Sequence, residues 1–97
     1  MSEVIWLPEA IDDIIRLRSF LEDKSHIAAM KAAQTLQDGA TILANHSEIG
    51  RPMNDGTGRR ELFQSFGAGA YVLRYLIEND TVFIIRVWHS KEKRPYN

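Results

Sequence analysis

The residues best suited to chemistry in this 97-residue chain crowd its C-terminal end, where Arg86, Trp88, His89, Lys91, Lys93 and Arg94 fall within nine positions. Cations at this density, with an indole and an imidazole among them, suit recognition of phosphate or of an acidic surface. Arg59 and Arg60 open the strand expected to fold back across the same sheet, and they join the candidate binding set. His89 could move a proton if a cation stood beside it to steady the developing charge. His26 and His46 fall on a helix start and a loop, and no histidine has a partner at metal-ligand spacing. With no cysteine in the chain, neither a metal centre nor a cofactor is expected. Asp12 and Asp13 point about 100° apart on a helix and read as helix-start charges. Gly67-Ala68-Gly69 leads from strand to strand, so it lacks the helix N-terminus that a phosphate loop needs. No Gly-x-Ser-x-Gly elbow frames a serine nucleophile.

A sheet must carry the C-terminal cluster. Leu62, Gln64 and Phe66 alternate with Glu61, Phe63 and Ser65, the two-residue period of a strand. Gly67-Ala68-Gly69 supplies a hairpin loop, Tyr71 to Glu78 a second strand, Asn79-Asp80 a tight turn, and Thr81 to His89 the last strand. Val82 to Trp88 is apolar at nearly every position, as an interior strand should be. If the turn at Asn79-Asp80 is two residues long, Arg74 faces Ile85, Leu73 faces Arg86 and Tyr71 faces Trp88. Alternation then sets Arg74 with Phe83, Ile85, Val87 and His89, and Arg86 with Trp88, Tyr71 and Tyr75, where it would stack on an aromatic ring.

Upstream, Val4-Ile5-Trp6-Leu7 reads as a short buried strand closed by Pro8, which suits the first position of a helix. Leu7 is a poor cap, so the proline must start that helix. Ala10, Ile14, Leu17 and Leu21 recur at helical spacing, and Ile11 and Ile15 widen the stripe. Ser25 suits the N-cap of a second helix. Ala29, Ala32, Ala33, Leu36, Ala40 and Leu43 mark its narrow face, fit for a close helix hairpin. Gly39 costs that helix roughly 1 kcal/mol against Ala, which packing must offset. Asn45 to Gly58 reads as loop. The expected fold is a single α+β domain over residues 1–97, ordered β-α-α-β-β-β, its helix hairpin packed on one face of a mostly antiparallel sheet.

Composition narrows the function classes. The chain is 44% hydrophobic and 26% charged, an ordinary globular balance. No apolar run reaches a bilayer span, and the N-terminus has no basic n-region, so a cytoplasmic domain without membrane contact is expected. A net charge of −1 argues against a nucleic-acid coat, and direct sequence-specific DNA binding is not expected. That total hides a polarity: residues 1–50 hold four basic and eight acidic side chains, residues 51–97 eight basic and five acidic.

In order and spacing, several short pieces resemble the ParE-type toxins of the RelE/ParE superfamily. They are Trp6-Leu7-Pro8-Glu9-Ala10 with Asp12-Asp13-Ile14, the Ala-rich second helix, His46-Ser47-Glu48-Ile49-Gly50-Arg51-Pro52, Arg60-Glu61-Leu62, Tyr71-Val72-Leu73-Arg74-Tyr75 and Val87-Trp88-His89-Ser90-Lys91. The resemblance runs nearly the whole chain. It implies the toxin of a type II toxin–antitoxin module of the bacterial cytoplasm, of the kind tied to plasmid stabilisation and growth inhibition. It also implies a hetero-oligomer with a ParD-like antitoxin and, on the ParE side, inhibition of DNA gyrase by binding, with no catalytic residue. RelE-type members are instead ribosome-dependent mRNA endonucleases. They carry an Arg directly after the aromatic residue that opens the middle meander strand, and a basic residue past the last strand. Here those positions are Val72 and about Ser90, with Lys91 beside it. The departure favours the ParE side. A nuclease would have to draw on His89 with Lys91, Arg94 or Arg74, and a toxin fold kept only as an antitoxin partner is a third reading.

Overall fold

Pro8 starts the first helix unaided, since Leu7 at its N-cap makes no side-chain capping bond. In the computed structural model, which describes residues 1–93, the elements run β1 (Glu3–Trp6), α1 (Pro8–Glu22), α2 (His26–Asn45), β2 (Arg51–Pro52), β3 (Arg60–Phe66), β4 (Gly69–Glu78) and β5 (Thr81–His89). Arg94 of the candidate set lies outside the described residues. Ser25 caps α2 by accepting from the Ala28 N–H at 3.2 Å, satisfying one donor that the helix cannot. The loop after α2 contains one feature that composition did not disclose: the two-residue strand β2, antiparallel to the start of β3.

The five strands form one sheet in the order β1-β5-β4-β3-β2. β1 runs parallel to β5, and the other neighbours are antiparallel. β5 therefore lies inside the sheet, as its nearly continuous apolar run requires. α1 packs over β5, and α2 packs on α1 and β3. Between the layers Ala10, Leu17, Leu36 and Leu43 meet Tyr71, Leu73, Tyr75, Val82, Ile84 and Val87. A Cβ on Gly39 would stand 3.1 Å from Leu73 Cδ2 and 3.3 Å from Gln64 Cγ, so the missing side chain lets α2 sit close on the sheet.

Two expectations need correction. Ile11 and Ile15 do not widen the buried stripe of α1: they are 45% and 58% exposed. Ala33 of α2 is exposed too. The reason is geometric, since each helix meets the sheet along a single narrow line and has its neighbour on one side only. The second correction concerns register. Asn79 and Asp80 have φ of 49° and 64°, the left-handed pair of a two-residue hairpin turn, and pairing follows that turn from Glu78–Thr81 to Tyr75–Ile84. It then slips, so that Arg74 pairs with Arg86, Leu73 with Val87, Val72 with Trp88 and Tyr71 with His89. Ile85 is the extra residue of a bulge. Arg74 thus stands over Trp88, 4.9 Å from its ring centroid, rather than with Val87 and His89. Arg86 reaches the α1 carboxylate of Asp13.

Candidate functional site

The bulge in β5 creates the polar centre of the molecule. Asp13, 1% exposed, accepts from the Val87 N–H at 2.8 Å. The Arg86 guanidinium meets the same carboxylate with both arms, Nε at 2.9 Å and Nη2 at 3.1 Å. Arg16, one helical turn on, donates to Asp13 and extends to Glu92 beyond β5 at 2.9 and 3.1 Å. Burial pushes the Asp13 carboxyl up, and the bonds from Arg86, the Val87 N–H and Arg16 outweigh it, holding the group below its ordinary 3.8. The bond to Glu92, with a smaller contribution from Asp13, raises Arg16 above its ordinary value, so its guanidinium stays charged. The sequence did not disclose this centre, because Asp13 reads as a helix-start charge and Arg86 as a side chain stacked on an aromatic ring. The signal present was that an Arg in an apolar strand needs a carboxylate from whatever packs on it.

Arg16 and Glu92 secure the turn that follows β5, where Lys91 and Lys93 stand exposed. Beneath that turn His89 is committed twice. Its Nε2 bonds the Phe66 carbonyl at 2.8 Å, and its Nδ1 faces the Lys91 N–H at 3.2 Å. A backbone N–H aimed at Nδ1 requires a lone pair there, so the ring hydrogen sits on Nε2 and is donated to Phe66. The ring also stands edge-on to Tyr71, centroids 5.1 Å apart. Burial first, and then the charge of Glu92, push the Tyr71 hydroxyl up to about 12.

Apart from Arg86, which is held on Asp13, the described candidate cations separate into three places. His89, Lys91 and Lys93 border one cavity of about 520 Å³, floored by Leu17, Leu21, Phe66 and Tyr71 and flanked by Phe20. Arg74 and Trp88 are buried together, with Arg74 held by Glu61 at 2.8 Å. Arg59 and Arg60 sit at the opposite end of the sheet. Arg60 pairs with Tyr75 there, whereas Phe66, at the far end of the same strand, pairs with Gly69 beside the cavity. Seven strand residues separate the two ends, roughly 20 Å. Arg60 donates to the carbonyls of Glu48 and Gly50, both at 2.9 Å, and Tyr75 bonds Ser47 and Gly50, so this end organises the loop before β3. Val72, where an Arg would mark a RelE-type site, is 2% exposed. Among the described residues no cluster of three His, Asp or Glu side chains could hold a metal ion, and no helix is long and apolar enough to cross a membrane.

Residues 4–94 match the family described as the ParE toxin of the type II toxin–antitoxin system parDE. Toxin RelE3 of Caulobacter vibrioides is 40% identical over 94 residues, covering 97% of this chain and 100% of that protein. Toxin RelE2 of the same bacterium is 29% identical, covering 93% of this chain and 97% of its own. A chain of the chromosomal ParDE TA system from P. aeruginosa has the same fold, with a TM-score of 0.73 at 16% identity over 92% of this chain and 96% of that one. A family match over nearly all of the described length, with an α+β fold in the same strand order, leads to one conclusion: the chain belongs to the ParE toxin family of type II toxin–antitoxin systems.

Proposed function

We propose that this toxin arrests growth by binding DNA gyrase in the bacterial cytoplasm, without cleaving a substrate, and that a ParD-like antitoxin neutralises it in a hetero-oligomer. The wiring of His89 carries the reading. A general acid or base needs a ring nitrogen available to the reacting group, and both nitrogens here are spent on backbone. The neighbouring cations do not repair this: Arg74 is sequestered on Glu61, and Val72 offers no charge in its buried place. What remains exposed is a basic turn beside an apolar cavity, a surface for holding a partner. The ParDE name of the structural relative and of the family supports the antitoxin pairing. On this molecule the antitoxin segment fits the outer groove of the helix hairpin, lined by Met30 and Ala33 of α2 and by Arg18 and Glu22 of α1.

The relatives named RelE toxins favour a second reading, ribosome-dependent mRNA cleavage by His89 with Lys91, Arg94 or Arg74. The two separate in one experiment: supercoiling by purified gyrase and translation of a reporter mRNA, each run with wild type and with His89→Ala. A binder inhibits supercoiling, and the variant stays within about threefold of wild type, because no proton transfer is lost. A nuclease cleaves mRNA on the ribosome, and the variant loses ~10²–10⁴-fold. Cleavage that vanishes in His89→Ala overturns the gyrase reading.

A further inference from the structure

The cavity under the post-β5 turn is more than a gap beside the basic residues. Its volume of about 520 Å³ lies within the range of built ligand sites, and its floor of Leu17, Leu21, Phe66 and Tyr71 is apolar. Two cations, Lys91 and Lys93, stand at its edge. The carboxylate between them in sequence, Glu92, also borders the cavity, but it is paired with Arg16 at 2.9 Å, so the two lysines remain the uncompensated charges there. Phe20, at the flank, is 61% exposed, an aromatic ring of that size left in water by a small domain.

We propose that this cavity is the socket by which the toxin grips its target, and that the occupant is a large apolar side chain carried on an acidic segment of the target protein. The inference rests on the reading of the protein as a binder and adds the site and the chemistry of what it binds. Charge decides the flanks: paired lysines select carboxylates around the anchor and repel basic segments. Apolar burial decides the centre, since an anchor in a desolvated pocket is what concentrates binding energy in a protein interface. The antitoxin is not the occupant, because it has a separate apolar surface on the helix hairpin. Ile11 and Ile15 lie exposed there on the stripe that continues to Arg18 and Glu22, across the groove from Met30. The Arg16–Glu92 bridge gives the socket its shape by fixing the turn that roofs it.

Two substitutions test this without entering the core: Phe20→Glu, which places a like charge at the mouth for an acidic segment, and Ala68→Trp, which fills the mouth from the exposed hairpin turn. Each is produced with the antitoxin and in inducible form alone, and whichever melts within a few degrees of wild type is scored. The expected result is a rise of about tenfold or more in the inducer level needed to arrest growth, the scale of a lost interface anchor. A parallel loss of gyrase inhibition is expected, with co-purification of the antitoxin unchanged. Growth arrest equal to wild type in a folded variant overturns the proposal, and so does any loss of antitoxin binding, which would assign the socket to the antitoxin. If the variants lose arrest but wild-type protein leaves supercoiling untouched, the socket stands and gyrase falls as the target. A wild type that arrests no growth overturns both.

Discussion

Removing the Asp13 carboxylate takes the acceptor from three donors at once: the Val87 N–H, the Arg86 fork and Arg16. Asp13→Ala should therefore cost about 2–4 kcal/mol, more than a surface ion pair and in the range of a broken buried one. Asp13→Asn keeps one acceptor and should cost less. The pH dependence follows from the direction of the shift. The folded carboxyl titrates below 3.8, so on acidification the unfolded chain takes up its proton first. Stability supplied by Asp13 is present above 3.8 and is lost as pH falls through the lower folded value. Urea melts on both sides of 3.8 should show wild type losing stability on the acid side and Asp13→Asn losing less; equal slopes would remove Asp13 from the account. This centre was half legible beforehand. Arg86 stood out by its place in an apolar strand, but alternation gave it an aromatic ring as partner in place of Asp13, because the register shift beside it leaves no mark in the pattern of side chains.

The helix hairpin stands on one close approach, at Gly39, and one side-chain cap, at Ser25. Leu36 is buried between α2 and the sheet, and Leu36→Ala should cost about 2–4 kcal/mol. Ile14 is only partly buried at the edge of the core, so Ile14→Ala should cost about 1 kcal/mol, the smaller loss of a contact that water already reaches. Ser25→Ala should cost ~1 kcal/mol through the lost bond to Ala28. Gly39→Val is the sharper test of the layer spacing. Its Cβ would press on Leu73 and Gln64, and the branched side chain must then push α2 off the sheet, at about 1–3 kcal/mol. Denaturant melts rank the four, and a Gly39→Val protein as stable as wild type would show that the helix has room to spare. Element order and type were readable because Pro8, Ser25, Asn79-Asp80 and the apolar run of β5 are local signals. β2 was not, since two residues make no period, and Ile11 and Ile15 misled because apolar spacing marks a stripe without fixing how much of its width the sheet and the neighbouring helix cover.

At the scale of the whole molecule, that unpartnered stripe and the separation of charge point the same way. Residues 1–50, which include both helices, carry the acidic excess, and the sheet half carries the basic one. A partner that covers the hairpin groove and continues along the exposed face of α1 would bury apolar side chains now in water, Met30 in the groove and Ile11 and Ile15 beyond it. If the antitoxin segment is unstructured until it docks, binding and folding are one event, and the complex should form with a large negative heat-capacity change. An antitoxin that recognises only the folded toxin also raises its stability by mass action, about 2.7 kcal/mol at a free concentration one hundred times the dissociation constant. For a domain of this size that corresponds to roughly 10–20 °C in melting temperature. The measurement is a melting series of toxin with increasing antitoxin, beside calorimetric titration at several temperatures. A rise that grows with the logarithm of antitoxin concentration, together with a steeply temperature-dependent enthalpy, is expected. Ile15→Glu should reduce both while leaving the toxin's own melting temperature nearly unchanged, since that side chain contributes little to the core. An unshifted melt with wild-type toxin, or an Ile15→Glu protein protected as fully as wild type, would move the antitoxin off the hairpin groove and return the socket under residues 90–93 to contention as its site.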